Sequence, residues 1–307
     1  MSALNTLADA TWTLLAAPFF EFAFMRRALV ATLALALSAA PLGVLLTLRR
    51  MSLLGDALSH AVLPGVAIGF MVSGLSLTAM ALGGALAGML VAALAGLVTR
   101  FTALKEDASL AAIYLVALAL GVMLISGHGT QLDLLHILFG SALGVDRQGL
   151  LLVAGVATVS LVLLAALYRG LVLESFDPTF LNTQASNRSA RQPRRVGGWI
   201  WQQTFLMLVV INLVAGFQTL GTLMAVGLMM LPAVSARLWH DTLGAQLLNA
   251  SAQAMLAGAA GLLLSYHLDT PSGPTIIGCA GALYAGSLIV APGGWRPRLW
   301  PQRHRVA

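Results

Sequence analysis

Charged side chains are scarce in this chain of 307 residues. Asp, Glu, Lys and Arg together make up 9% of it, with a single lysine, Lys105, and a single cysteine, Cys279. Soluble domains carry about 25% charged residues. So few charges cannot cover a surface that faces water, and the 59% share of hydrophobic residues indicates a chain that needs lipid as its solvent.

The lone lysine also excludes one kind of nucleotide site. A phosphate loop of the G-x-x-x-x-G-K-[ST] type needs a lysine after its second glycine, and Lys105 stands in the sequence TALKED. The chain therefore does not bind ATP by such a loop, and an ATP-driven cycle would need a separate subunit.

Cys279 has no second cysteine with which to form an intrachain disulfide or a thiolate cluster, so we interpret it as a packing residue.

Long apolar runs are what the chain has instead. A spanning helix needs about 20 apolar residues, and polar residues separate nine runs of about that length. The runs lie at about 28–48, 53–73, 78–98, 108–126, 149–168, 199–217, 219–236, 248–266 and 274–292. This pattern predicts an all-α, polytopic transmembrane bundle of eight or nine membrane segments in the bacterial inner membrane.

The runs predict a single transmembrane domain at 28–293. Residues 1–27, which are rich in phenylalanine and show no cleavable signal peptide, are predicted to form an interfacial N-terminal lead-in. Residues 294–307 are predicted to form a basic cytoplasmic tail. Within the domain, the glycine-rich run at 219–236 is predicted to be a broken helix that ends at Pro232.

Clustered cations predict the orientation of the bundle, because cytoplasmic loops are rich in Lys and Arg. Four clusters follow alternate apolar runs, namely Arg49 with Arg50, Arg100 with Lys105, Arg169 to Arg195, and the basic tail. All four face the cytoplasm if the run at residue 28 starts outside. Arg26 and Arg27 then lie on the outer side, and a further crossing at 8–24 would put the N-terminus in the cytoplasm.

The stretch Arg49–Phe70, RRMSLLGDALSHAVLPGVAIGF, holds the candidate chemistry. Asp56 stands near the start of an apolar run, and His60 follows one helical turn later. Residues at i and i+4 lie on one face of a helix, so the carboxylate and the imidazole project together. Such oxygen and nitrogen donors suit a divalent ion like zinc or manganese. Ionisable residues in a membrane segment are costly and normally face a polar pathway or partner.

Pro64, four residues after His60, predicts a kink in this segment. Proline has no N–H to donate to the carbonyl at i−4, and its ring pushes against that carbonyl. The His60 carbonyl would then be free as a third metal ligand. In an alternative interpretation Asp56 pairs with Arg49 or Arg50 at the cytoplasmic interface, and His60 is a hydrogen-bonded core histidine. The spacing alone leaves both interpretations open.

Two outer segments hold weaker candidates. The loop GHGTQLDLLHILFG carries His128, Asp133 and His136, which are candidates for an outer entrance that collects cations. Ordinary interfacial residues give the same pattern. His267 and Asp269 fall in SYHLDTPSGP, where proline and glycine breakers favour a structural turn.

Four stretches resemble the metal-type ABC transporter permease family, the membrane subunits of zinc, manganese and chelated-iron uptake systems. The most specific of them is the stretch at 49–70 that contains DALSH. The others follow in the expected order, with DLLHILFGSALGV at 133–145, LGTLMAVGLMMLPAVSARL at 220–238 and SYHLDTPSGPTI at 265–276. Together the resemblance runs from about residue 25 to about residue 292.

This resemblance implies a homodimeric permease that works with two cytoplasmic ATP-binding subunits and an extracytoplasmic metal-binding protein. The divalent metal ion is cargo, so no permanently bound cofactor is implied. In that family the Asp and His of the DALSH stretch are associated with the metal path, which carries over to Asp56 and His60. The chain departs from the family at 175–190, where SFDPTFLNTQASNRSA replaces a pattern of small residues and glycines.

An ATP-binding subunit must act on a cytoplasmic element of the permease. We expect Pro232 to end its apolar run and a short helix at about 233–247 to follow. Arg237 and Asp241, at i and i+4, would give that helix a polar face for docking into the ATPase. The loop at 174–190, with Asp177, is the second candidate. A solvated connector is the alternative for both segments.

Rival functions make different predictions. An ATP-independent secondary cation transporter or channel would move ions without partners. An intramembrane metalloenzyme is disfavoured because the chain lacks H-E-x-x-H, and a membrane scaffold leaves Asp56 and His60 unexplained. We therefore expect a transport subunit rather than an enzyme.

The sequence does not select the metal, because zinc, manganese and ferrous iron all accept oxygen and nitrogen donors. The direction of transport, import rather than export, follows from the resemblance alone.

Overall fold

A computed structural model describes residues 16–74, 76–102, 106–127, 142–176 and 196–295. Within these ranges the chain forms eleven α-helices, a 3₁₀ turn at Ala142–Gly144 and no β-strand. The helices are α1 Ala17–Glu21, α2 Ala23–Leu48, α3 Leu54–Ala61, α4 Leu63–Ser73, α5 Leu77–Phe101, α6 Glu106–Gly127, α7 Arg147–Phe176, α8 Val196–Leu220, α9 Thr222–Trp239, α10 Leu243–Leu268 and α11 Ser272–Val290. The predicted all-α class is confirmed.

The nine predicted apolar runs correspond to these helices. In the described ranges, eight helical segments are long and apolar enough to cross a membrane, and α6 contributes a shorter apolar stretch, Ala108–Leu124. The run at 53–73 holds two helices, α3 and α4, which together count as one crossing. The prediction of a polytopic bundle with eight or nine membrane segments is therefore confirmed.

Helix α2 lies at the centre of the bundle. It packs against α7, α8, α9 and α10, and small residues such as Ala36 and Ala40 let the neighbouring backbones approach closely. At Gly43 the approach is closest, because a Cβ there would lie 1.8 Å from the backbone oxygen of Met229 on α9. The contact between α2 and α9 therefore depends on a residue without a side chain.

Helix α9 corrects two predictions about Pro232. The helix runs without a break from Thr222 to Trp239, with Pro232 inside it, so the predicted broken helix is wrong. The separate helix expected at 233–247 is also wrong, because that stretch is the end of α9, a short link and the start of α10. Pro232 is buried, and packing by neighbouring helices compensates for the hydrogen bond that a proline removes from a membrane helix.

Interhelical contacts define two ends of the bundle. At one end, Nη2 of Arg49 donates to the backbone oxygen of Leu171 at 3.5 Å. The guanidinium of Arg49 also lies 4.2 Å from the ring centroid of Phe205. At the opposite end, the backbone N–H of Ala142 donates to Oγ of Ser272 at 2.9 Å. The first end joins α2, α7 and α8, and the second joins the 3₁₀ turn to α11.

Cations favour the end that contains Arg49. The arginines at this end that belong to described helices or their caps are Arg49, Arg50, Arg100, Arg169 and Arg237. Only Arg26, Arg27 and Arg147 lie toward the other end within the described ranges. By the positive-inside rule we assign the Arg49 end to the cytoplasm. Helix α2 then begins outside, as the sequence predicted for the run at 28–48.

Most of the predicted lead-in at 1–27 lies outside the described residues, because these begin at residue 16. The described part comprises α1 and the start of α2, and the side chain of Phe20 is 66% exposed. The basic tail at 294–307 is described only through Trp295. The proposed domain boundaries at both ends of the chain therefore stay predictions.

Hydrogen bonds join the cytoplasmic ends of α9, α10 and α11. Nε2 of Gln246 donates to the backbone oxygen of His240 at 2.7 Å, which fixes the start of α10 to the end of α9. Nε1 of Trp239 donates to Oγ of Ser287 on α11 at 2.9 Å. We call residues 237–246 the α9–α10 corner. Because these hydrogen bonds connect the corner to α9, α10 and α11, a displacement of the corner would move all three helices.

Replacing Gly43 by Ala tests the contact between α2 and α9. The new methyl group would meet backbone atoms that cannot rotate away, so we expect the free energy of unfolding to fall by about 1–3 kcal/mol or more. Thermal unfolding in detergent measures the loss as a lower melting temperature. Gly278→Ala is the matched control, because a Cβ at 278 has no atom within 4 Å. Equal melting temperatures for the two variants would contradict a structural role for Gly43.

Candidate metal-path site

Helix α3 holds the two candidate metal ligands. Asp56 lies in its first turn and His60 in its last turn, and Oδ1 of Asp56 lies 3.8 Å from Nε2 of His60. Two donors that each lie about 2.1 Å from one ion can be at most about 4.2 Å apart. The two side chains are therefore close enough to bind the same ion, as the i, i+4 spacing predicted.

The helical segment breaks directly after His60. Helix α3 ends at Ala61, and α4 begins at Leu63 with Pro64 in its first turn. The interruption predicted from Pro64 is present, as a single turn residue, Val62, with φ −80° and ψ −16°. The prediction that the His60 carbonyl is free is wrong in part, because the backbone N–H of Val62 is directed at it. A carbonyl oxygen has two lone pairs, so the His60 oxygen keeps one for a further partner.

Contacts with neighbouring helices show how deep α3 lies in the bundle. A Cβ on Gly55 would lie 3.1 Å from Cε of Met230, near the middle of α9. A Cβ on Gly88, near the middle of α5, would lie 2.9 Å from Cγ1 of Val62 at the break. The start of α3 lies closer to the cytoplasmic end, because Leu54 lines a small cavity together with Thr99 near the end of α5. The carboxylate of Asp56 and the imidazole of His60 therefore lie inside the bundle, between its cytoplasmic end and its middle.

The face that carries Asp56 is open in the single chain. The side chain of Asp56 is 69% exposed and that of His60 is 31% exposed. Apolar residues along the same segment are also exposed, with Leu53 at 83%, Ile68 at 51% and Val72 at 79%. A carboxylate that faces lipid at this depth is costly. This face therefore requires water, a cation or another protein surface against it.

The alternative interpretation paired Asp56 with Arg49 or Arg50. The guanidinium of Arg49 lies over Phe205 and donates to Leu171. The ion pair that the structure gives Asp56 is the one with His60. The observed geometry thus favours Asp56 and His60 as a pair over an interfacial salt bridge.

The structure says less about the other residues that the sequence predicted as site residues. His128, Asp133, His136 and Asp177 all lie outside the described residues, so their predicted roles stay predictions. Asp269 ends α10 with a left-handed backbone, φ 50°, which agrees with the structural turn expected there.

The predicted ATPase-facing pair does not share a helix. Arg237 lies in the last turn of α9, whereas Asp241 lies in the link before α10. The expected i, i+4 helical face is therefore wrong, because α9 ends at Trp239 and not beyond Asp241. Both side chains are exposed, and both lie at the end assigned to the cytoplasm.

Ser272 is a structural residue that the sequence gave no reason to select. Its side chain is 3% exposed and accepts the hydrogen bond from Ala142. This bond fixes the point where the chain emerges from the 128–141 segment. Serine at the start of a helix is common, and the sequence holds no signal for a partner that lies 130 residues away.

Comparisons with known proteins agree with this architecture. The profile of the ABC 3 transport family matches residues 21–291. Manganese import system permease protein ScaB of Streptococcus parasanguinis is 32% identical over 272 residues, which cover 89% of this chain and 92% of that protein. Manganese transport system membrane protein MntC of Halalkalibacterium halodurans is 31% identical over 275 residues, which cover 89% of each.

A solved structure shares both the fold and part of the sequence. A chain of PsaBC from Streptococcus pneumoniae in complex with Fab superposes with a TM-score of 0.76 at 28% identity, covering 92% of this chain and 96% of that one. The two relatives above are named as membrane or permease components of transport systems and not as enzymes. The resemblance seen in the sequence is confirmed: this chain belongs to the ABC 3 transport family, as a multi-pass metal-type ABC permease of the bacterial plasma membrane.

Proposed function

We propose that this permease carries a divalent transition metal into the cell, with manganese favoured. The observation that carries the proposal is the pair formed by Asp56 and His60, whose donor atoms lie 3.8 Å apart on an open face of α3. The carboxylate suits manganese, while the imidazole also suits zinc and iron. The names of the relatives, which are manganese permeases, favour manganese among the three.

A second copy of the chain is the proposed partner of the open face. Among the described residues, no three His, Cys, Asp or Glu side chains are grouped so as to hold a metal ion, so within the described ranges one protomer offers two side-chain ligands at this site, Asp56 and His60. Two copies with these faces opposed would offer two carboxylates and two imidazoles, with water completing the shell. A site that keeps water in its shell suits release of the ion better than a closed structural site.

Energy for the cycle would come from cytoplasmic ATP-binding subunits, because this chain has no phosphate loop. The α9–α10 corner is our candidate for their docking surface, with Asp177 as the second candidate. Arg237 and Asp241 are exposed there, and hydrogen bonds join the corner to α10 and α11. An extracytoplasmic metal-binding protein would deliver the ion to the opposite end.

Helix α9 supplies a physical route from that corner to the metal path. It runs unbroken from Arg237 back to Met230, which packs on Gly55 next to Asp56. A movement imposed on the corner would therefore reach α3 through one stiff helix. In the proposed alternating-access cycle, ATP-driven closure of the motor subunits moves this helix and reorients the carboxylate and imidazole between the two sides.

Substitution of the two ligands tests the proposed metal path. We expect Asp56→Ala and His60→Ala each to lower manganese uptake by at least about tenfold, since even outer-shell partners of a metal ligand contribute 10–100-fold. The measurement is uptake of radioactive manganese into cells that lack their own permease, with zinc and ferrous iron as competitors. Protein level in the membrane is followed by immunoblot.

Asp269→Asn is the matched control for these variants. It removes one exposed carboxylate at the outer turn, and Asn tolerates the left-handed backbone found there. Wild-type uptake by both Ala variants would refute the metal path. Uptake by the purified permease alone in liposomes, without ATP-binding subunits, would favour the ATP-independent transporter or channel.

Charge reversal in the α9–α10 corner tests the proposed docking surface. We expect the double variant Arg237→Glu with Asp241→Arg to reduce copurification of the ATP-binding subunit by roughly three- to tenfold, which corresponds to about 1 kcal/mol. Arg147→Glu, at the opposite end of the bundle, is the control. If copurification is unchanged in the double variant, the corner is a solvated connector and the segment around Asp177 becomes the candidate.

A further inference from the structure

Residues 62–66, which comprise the break at Val62 and the first turn of α4 and are called the break segment, are packed against glycines. Four close contacts connect the break segment to neighbouring helices. The pairs are Val62 with Gly88, Pro64 with Gly121, Gly65 with Gly83 and Val66 with Gly84. Gly83, Gly84 and Gly88 belong to α5, whereas Gly121 belongs to α6. The break segment is therefore held from two helices at once.

The contact with α5 brings two backbones together. A Cβ on Gly65 would lie 2.0 Å from the backbone oxygen of Gly83, and a Cβ on Gly83 would lie 2.2 Å from the backbone oxygen of Gly65. This reciprocal contact fixes the start of α4 against α5. It is a common packing device between membrane helices, and by itself it does not explain the direction of α3.

The contact with α6 is made at the proline that breaks the helix. A Cβ on Gly121 would lie 2.9 Å from the nitrogen of Pro64, 3.1 Å from Cδ of Pro64 and 3.1 Å from Cβ of Leu63. Proline fixes its φ and has no rotatable side chain that could turn away. Any side chain at 121 therefore has to move the backbone of the break segment.

We propose that Gly121 is a positioning residue for the metal path. By leaving room for Pro64, it lets α6 set the angle between α3 and α4, and this angle decides where the carboxylate of Asp56 and the imidazole of His60 point. Helix α6 packs against both α3 and α4, so it contacts the segment on each side of the break. The inference rests on the proposed role of Asp56 and His60.

The length of α3 makes the site sensitive to this angle. Asp56 precedes Pro64 by eight residues, or about 12 Å at 1.5 Å per residue. A tilt of about 5° at the break would thus displace Asp56 by about 1 Å. A tilt of α3 keeps the distance between Asp56 and His60 but moves both donors relative to those of the proposed opposed copy. Metal–ligand distances are reproduced within about 0.2 Å, so a displacement of about 1 Å would disturb coordination that the two copies share.

Thiol reactivity at position 56 tests the positioning directly. Asp56→Cys in a Cys279→Ser background places a single thiol on α3, and the rate of its reaction with a small maleimide is measured in membrane vesicles that contain the assembled importer. We expect Gly121→Ala to change this rate at least about threefold. Gly155→Ala is the matched control, since a Cβ at 155 has no atom within 4 Å, and it should leave the rate unchanged.

A second measurement connects the position to transport. With Asp56 and Cys279 restored, we expect Gly121→Ala to lower the uptake of radioactive manganese at least about tenfold and to raise its half-saturating concentration, at an unchanged protein level. Gly155→Ala should keep wild-type uptake. A change in half-saturation separates altered ligand geometry from a simple loss of folded permease, which lowers only the maximal rate.

The two measurements separate this inference from the proposed function. An unchanged thiol rate in Gly121→Ala overturns the positioning role, whatever the uptake. A changed rate with normal uptake supports the positioning role and counts against the metal path at Asp56. If Gly121→Ala does not accumulate, Pro64→Ala alters the same contact from the other side. Its thiol rate should also change, and an unchanged rate there overturns the inference.

Discussion

A carboxylate inside a membrane segment needs water, a cation or a polar partner, and this requirement governs the surroundings of Asp56. The rest of the described helical body is largely apolar and packs through small residues, with a few interhelical hydrogen bonds such as the one from Trp239 to Ser287. The pair of Asp56 and His60, 3.8 Å apart on an open face, has no such explanation in packing. Its exposed carboxylate accounts for the need for a second surface against this face.

Much of the fold could be predicted because lipid imposes simple rules on length and polarity. The apolar runs of about 20 residues became helical, although the run at 53–73 forms two helices, and the cation clusters gave an orientation for the bundle. The two prolines show where these rules end. Pro64 and Pro232 both remove one backbone donor, but only Pro64 breaks its helix. The difference lies in tertiary packing, which a single sequence does not reveal.

The candidate site could be predicted in part for the same reason. The spacing of Asp56 and His60 fixes their common face, because helical periodicity is a local property. Their depth and exposure depend on α5, α6 and α9, and no local pattern carries that information. Glycines illustrate the limit well: Gly121 faces the backbone of Pro64, whereas Gly155 has open space around it. In the sequence, both are glycines within apolar runs, and nothing local distinguishes one from the other.

The arginines near both ends of α2 have a consequence for biosynthesis. Arg26 and Arg27 lie in the first two turns of this helix, and Arg49 and Arg50 follow it. The two pairs balance, so the charge around this helix gives the insertion machinery no preferred direction for it. Loops with a stronger excess of cations, which are synthesised later, would then decide the orientation of the central helix of the bundle.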